Sequence, residues 1–223
     1  MPSRTRVSNS SVGTKLFIGA TGLFLVFYLL IHIVGNFVVF LGPSAFNKYA
    51  HTLESIPILP AIEIILLAGF LAHIFKTVGM YLSNRQARPV GYAMKRNAGA
   101  PSRKTFASTT MILSGLWLVA FLVIHVKAFR FTPMYDWAEG GHDLYRLEID
   151  NFRNPLIVGF YVISMLIVGS HLWHGASSAL QSLGIDDRRW TPRIIIAGRA
   201  FAIFVAGGFI VIALWAHFVG GQP

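Results

Sequence analysis

Five long apolar runs leave this chain few ways to fold. They lie at residues 16–41, 58–82, 106–131, 155–180 and 194–219. A helix needs roughly 20 apolar residues to cross the hydrocarbon layer. No run alternates with the period of a barrel strand, so helices are the structure that satisfies the backbone in lipid. We therefore read residues 1–223 as one all-α integral membrane domain, a bundle of five transmembrane helices. Hydrophobic residues make up 54% of the chain and charged ones 13%, with a mean hydropathy of +0.59, far from the balance of a water-soluble domain. The first run exceeds a secretory h-region of roughly 7 to 15 residues and no small-residue cleavage site follows it, so it is expected to stay as a helix.

The net charge of +10 would suit a nucleic-acid surface if it were gathered on one face. It is instead distributed by side. With five spans, Arg4, Arg6 and Lys15, then Arg85, Arg88, Lys95, Arg96, Arg103 and Lys104, then Arg188, Arg189 and Arg193 share one side. The opposite loops hold Glu54, Asp136, Glu139, Asp143, Glu148 and Asp150. This asymmetry predicts a cytoplasmic N-terminus and an outer C-terminus, and argues against nucleic acid as a partner. The basic connection with Pro89, Gly91, Gly99 and Pro101 reads as cytoplasmic loop. The outer loop at residues 42–57 has room for one or two helical turns, and the longer one at 132–154 is expected to fold back over the bundle. Gly184 reads as the glycine that closes span four.

Four of the runs carry histidines in their interiors: His32, His73, His125, and the pair His171 and His174. An imidazole in lipid loses its water and must find a partner, so each marks a candidate site. Depth sorts them. At 1.5 Å per residue His32 lies roughly 14 Å, and His125 roughly 8 to 9 Å, from the outer ends of their runs. His73 and His171 each lie about 14 Å from the inner ends of theirs. An outer pair, His32 with His125, and an inner pair, His73 with His171, are what two bis-histidine haems need. Spacing alone does not choose between His171 and His174, which share a helix face. Gly35, Gly69, Ala128 and Gly175 are small residues within a turn of these histidines, as a bulky macrocycle requires, though glycine also marks plain helix contact. Cysteine is absent, which excludes disulfides, iron–sulfur ligation by this chain and covalent c-type haem attachment. His51, His142 and His217 are expected at the outer surface. No short repeat is evident, although the pairing of spans one with two and three with four hints at duplication.

These residues resemble a family. The opening Ser11-Val12-Gly13-Thr14-Lys15, then Thr21-Gly22-Leu23 and His32-Ile33-Val34-Gly35-Asn36, the histidine in each of the first four spans, and HLWHGASSALQSLG from His171 to Gly184 are together similar to the cytochrome b membrane anchor of succinate dehydrogenase and fumarate reductase, in its single-chain, five-helix, dihaem form. The resemblance implies that His171 rather than His174 is the ligand, with span one paired to span three and span two to span four. It implies two haem b groups, a flavoprotein subunit and an iron–sulfur subunit as partners, electron transfer to a membrane quinone, with menaquinone favoured, and a bacterial inner-membrane location. One dihaem relative has an acidic residue two positions before its span-four ligand, where this chain has Gly169.

Quinone chemistry needs hydrogen-bond donors, a proton route and an apolar groove. Glu63 is a candidate at the outer end, or else an interfacial residue favoured at a helix N-terminus by the macrodipole. His174, Trp173 and Ser177 are candidates at the inner end, or else packing groups. Lys76 near the inner haem, and Lys127 or Arg130 near the outer one, suit haem propionates, while snorkelling explains the same three cations. Two alternatives remain on sequence grounds: a haem b quinol-oxidising subunit of another respiratory reductase, and a transporter or proton channel with a histidine relay. A transporter would more often show broken helices at matching positions of two halves.

Overall fold

The computed structural model describes residues 11–87, 90, 105–133 and 135–220. Arg4, Arg6, Arg88, Lys95, Arg96, Arg103 and Lys104, together with Pro89, Gly91, Gly99 and Pro101, lie outside the described residues. Among the described residues the regular elements are all helical. They are α1 (Ser11–Asn36), a 3-10 turn (Phe37–Leu41), α2 (Pro43–Glu54), α3 (Leu59–Gln86), α4 (Phe106–Thr109), α5 (Met111–Arg130), α6 (Leu144–Phe152), α7 (Pro155–Ser182) and α8 (Thr191–Phe218). Five stretches are long and apolar enough to cross a membrane: α1 with its 3-10 extension, α3, α5, α7 and α8. The apolar runs thus become five spans with boundaries moved by a few residues.

The ends of the spans follow local chemistry. Gly42 turns the chain at φ +92°, and Pro43 then opens α2 in the first turn, where its missing N–H costs nothing. The third run breaks where polar side chains compete with the helix. Thr105 and Ser108 close a capping box around α4, and the Thr109 and Thr110 hydroxyls donate back to the Thr105 and Phe106 carbonyls. The span proper starts at Met111. Gly184 closes α7 at φ +91°, with Ile185 N–H donating to Leu180 O and Gly184 N–H to Gln181 O, a Schellman arrangement.

α7 and α8 form the most closely packed pair, through small residues. Gly198, Ala202, Ala206, Ala213 and Ala216 of α8 are buried. A Cβ placed on Gly169 would sit 3.0 Å from the Ala206 Cβ, and one on Gly198 would sit 3.3 Å from the Ser177 backbone nitrogen. Lipid gives helices little hydrophobic reason to associate, so close approach of small residues takes over. α1 packs on α3, α7 and α8, while α5 packs on α7.

α2 and α6 lie across one end of the bundle. The first loop therefore holds three helical turns, more than the one or two expected. Both helices are amphipathic, and they are tied together by Asn47. This fully buried amide donates to Asp143 Oδ1 at 2.8 Å and accepts from Tyr145 N–H at 2.9 Å. An unmade bond at such a site costs about 1 to 3 kcal/mol, so the two helices are docked rather than draped. Asp143 also caps α6 by accepting from Arg146 N–H at 3.0 Å. One acid of the second outer loop is buried. Glu148 is 5% exposed, on the inward face of α6 with Leu147, Ile149 and Phe152.

Candidate functional site

The intramembrane histidines gather inside the bundle at two levels. At the level nearer α2 and α6, the His32 and His125 rings lie with centroids 6.0 Å apart and planes at 82°. Rings this close on facing helices can each offer a nitrogen to one metal centre held between them. Tyr28 stacks on His32 at 5.3 Å and 14°, and Phe121 on His125 at 5.5 Å and 22°, each from one turn earlier on the same helix. The other level holds His73, which faces Gly22 of α1, and His171, which faces Gly115 of α5.

The second nitrogen of each ring has a partner. His73 Nδ1 lies 3.2 Å from Thr21 Oγ1, His171 Nδ1 3.0 Å from Ser114 Oγ, and His125 Nδ1 3.2 Å from the Tyr161 hydroxyl. Thr21 donates its own proton to Phe17 O and Ser114 to Met111 O. Each of these two oxygens is therefore free to accept from an imidazole N–H. That fixes the proton on Nδ1 and leaves Nε2 with its lone pair, the tautomer a metal ligand needs. His32 differs. Its Nδ1 lies 3.4 Å from the Asn36 amide nitrogen, which also donates to His32 O at 2.7 Å.

Glycines next to these hydroxyls complete the seats. A Cβ on Gly22 would lie 3.3 Å from His73 Cε1, and one on Gly115 would lie 3.7 Å from His171 Cε1. Thr21-Gly22 of α1 thus holds the histidine of α3, and Ser114-Gly115 of α5 holds the histidine of α7. The two seats expose a repeat that the bare sequence hid. Residues 21–32 (TGLFLVFYLLIH) and 114–125 (SGLWLVAFLVIH) agree at seven of twelve positions, from the hydroxyl–glycine pair to the histidine. Eleven residues separate hydroxyl from histidine in both helices, a rise of about 16 Å. The two levels are therefore set apart equally by α1 and by α5.

Some small residues have other occupations. Gly35 faces Tyr49, whose hydroxyl would collide with a Cβ there, and a Cβ on Gly69 would sit 2.6 Å from the Phe24 ring. These two expected macrocycle neighbours instead admit aromatic side chains. A Cβ on Gly175 would lie 4.0 Å from His171 Cδ2, on the expected side.

The remaining candidates are dispersed. Glu63 pairs with Arg130 across α3 and α5 at 3.2 Å, both well exposed, so the proposed proton acceptor and one propionate cation hold each other. Lys127 is exposed, and Lys76 places its Nζ 5.8 Å from the Phe17 ring centre. Trp173 lines a cleft of about 300 Å³ between α4 and α7, with Thr105, Phe106, Ala107, Gly169 and Ser170. The Arg199 guanidinium rests over its ring at 5.1 Å. Ser177 is buried where α7 meets Gly198, and its hydroxyl donates to His174 O at 3.3 Å. His174 itself is half-buried one turn from His171. Outside the spans, His51 and His142 are exposed, and His142 Nδ1 lies 3.2 Å from Glu54. His217 is half-buried rather than at the surface, its Nδ1 donating to Phe152 O at 2.8 Å.

No group of three or more His, Cys, Asp or Glu side chains converges among the described residues, so a centre ligated by protein alone is not formed there. Two imidazoles per level suit a group that brings its own equatorial ligands. Fold and site together define a multi-pass helical membrane protein with paired histidines at two depths. Over 168 residues the chain is 27% identical to the succinate dehydrogenase cytochrome b558 subunit of Bacillus subtilis (strain 168), covering 74% of this chain and 75% of that protein. The chain is thus similar to a cytochrome b subunit of succinate dehydrogenase, and it is a multi-pass bacterial membrane protein. No protein-family model and no solved structure matches it.

Proposed function

We propose that this chain is a dihaem b membrane anchor of a succinate:quinone oxidoreductase or fumarate reductase, carrying electrons between an iron–sulfur subunit and the quinone pool. The observation that carries the reading is the arrangement of four imidazoles in two pairs, three of them held by a hydroxyl at Nδ1. His32 and His125 ligate one haem, and His73 and His171 the other. Haem b supplies a one-electron carrier tuned by axial ligands, burial and nearby charge. The chain's own work is to fix the rings, exclude water and hold the two levels about 16 Å apart. The relative's name, a cytochrome b subunit of succinate dehydrogenase, supports the haem b assignment and catalytic subunits as partners.

The side that carries the N-terminus and Arg188, Arg189 and Arg193 is the cytoplasmic one in this reading, where those partners dock. Lys76 and Lys127 serve the propionates of the two haems, Arg130 being engaged by Glu63. Menaquinone is the expected quinone. Two places suit its ring: the Trp173 cleft beside His174, whose volume is at the small end for a ligand site, and the region of Glu63, whose pairing with Arg130 supplies a carboxylate and a donor together.

A reduced-minus-oxidised absorbance spectrum of the purified chain tests the reading. Two b-type haems per polypeptide are expected, with loss of one on His125→Ala and of the other on His171→Ala. A colourless protein would leave the histidine-relay channel as the better account. Co-purification with a flavoprotein and an iron–sulfur protein separates the dicarboxylate enzyme from other quinol-oxidising cytochromes.

A further inference from the structure

Glu148 has no part in the reading above, yet it is the most deeply placed acid among the described residues. It is 5% exposed, and among the described residues no hydrogen bond or ion pair reaches its carboxyl. Burial pushes its pKa up to about 8. A carboxyl left without a cation in such a place normally serves proton exchange or is replaced, because the desolvation cost is not recovered.

Its position points to a role. Phe152, one turn along the same face of α6, packs edge-on against the Tyr161 ring at 5.0 Å. Tyr161 in turn meets His125 Nδ1 through its hydroxyl at 3.2 Å. The acid therefore stands behind the residue that orients His125, at the end of the bundle covered by α2 and α6. The elements packed on α6 supply few other charges. α7 presents Tyr161, and α8 presents His217, held by Phe152 O. α5 carries His125 and the exposed Lys127 and Arg130, and α2 presents the neutral Asn47, its Lys48 and His51 lying exposed. On α6 itself the neighbours are Tyr145 and the cap Asp143, whose carboxylate is bound by Asn47.

We propose that Glu148 is a redox-linked proton acceptor for the haem held by His32 and His125, coupled to it through Tyr161. The proposal rests on the haem reading above. Above about pH 8, where the carboxyl is ionised, reduction of the haem by a one-electron donor raises the proton affinity of Glu148, so that it takes one proton from water at the α2–α6 end and becomes a neutral acid. Oxidation returns both. The physical cause is that added negative charge nearby favours the protonated form of a carboxylate. A proton bound more tightly in the reduced state makes the potential fall as pH rises.

Potentiometric titration of the haem-loaded full chain, from about pH 7 to about pH 10 to cover the window that opens above the Glu148 value of about 8, tests this. The potential of one haem should fall with pH, approaching one proton per electron, or about 59 mV per tenfold change in proton concentration for a one-electron couple. Glu148→Gln should flatten that slope and Glu148→Asp should retain it. The slope of the haem at His73 and His171 should be the same in all three proteins. A wild-type potential independent of pH, or the same slope in Glu148→Gln, overturns the proposal and leaves the haem reading intact. A chain that binds no haem overturns both.

Discussion

An imidazole in a lipid-facing bundle is tolerated when each of its nitrogens has work, and here one nitrogen's work is visible at three of the four sites. Ser114 and Thr21 hold the His171 and His73 rings by one hydrogen bond each, 3.0 Å and 3.2 Å long. Partners of this kind set the tautomer and orientation of a ligand, and losing them typically weakens metal affinity 10- to 100-fold. Ser114→Ala should therefore lower haem affinity by about that factor at the His73–His171 level and leave the other level unchanged. Haem titration of the stripped protein, followed by absorbance, reads this directly, and equal affinity in variant and wild type would remove Ser114 from the site. The histidines and their sorting by depth were legible in the sequence because cost in lipid and helical rise are local properties. Their seats were not, since Thr21 and Ser114 act on the neighbouring helix, and nothing local says which helix that is. Gly35 and Gly69 stood open between two readings for the same reason: a glycine shows that something approaches, not whether it is a macrocycle, Tyr49 or Phe24.

Among the elements, the α7–α8 pair is the scaffold on which His171 stands, and its spacing depends on small side chains. Gly169 is where the two backbones come together, with the Ala206 Cβ 3.0 Å from a Cβ that is not there. A side chain larger than glycine has no room here unless Ala206 gives way. Gly169→Val should cost about 1 to 3 kcal/mol through overpacking, read as a lower unfolding temperature in detergent. Gly159→Ala, on the same helix with nothing within 4 Å of the added atom, should cost nothing and recover some helix propensity. Equal effects from the two substitutions would show that helix propensity rather than contact governs the pair. The spans themselves were readable from hydropathy to within a few residues, apart from the break at Thr110. α6 was not. Its stretch reads as a loop folding back over the bundle, and only the packing of Ile149 and Phe152 against α7 and α8 reveals the amphipathic face that buries Glu148 and leaves Asp150 half-buried between Arg146 and Arg153.

For the whole molecule, the repeat in α1 and α5 sets a plan. Both helices run in the same direction, each holds a partner's histidine at one level and offers its own at the other, and each stacks an aromatic ring on that histidine one turn before it. Two similar halves, α1 with α3 and α5 with α7, thus face each other, and α8 packs mainly on the second. Such a plan places the two pairs of histidines at fixed, separate depths, but it does not say which level lies toward the cytoplasm. The charge asymmetry gives the expectation: Arg188, Arg189 and Arg193 stand at one end, Glu54, Asp136 and Glu139 at the other, and the basic end is expected in the cytoplasm. The chain contains no cysteine, so a single introduced thiol reports on one site without background. Glu139 and Arg188 are both exposed, in the loops at opposite ends. In intact cells a membrane-impermeant maleimide should label Glu139→Cys and spare Arg188→Cys until the membrane is opened. The reverse pattern would invert the bundle, put the His32–His125 level beside the cytoplasm, and move any docking surface for soluble partners onto α2 and α6.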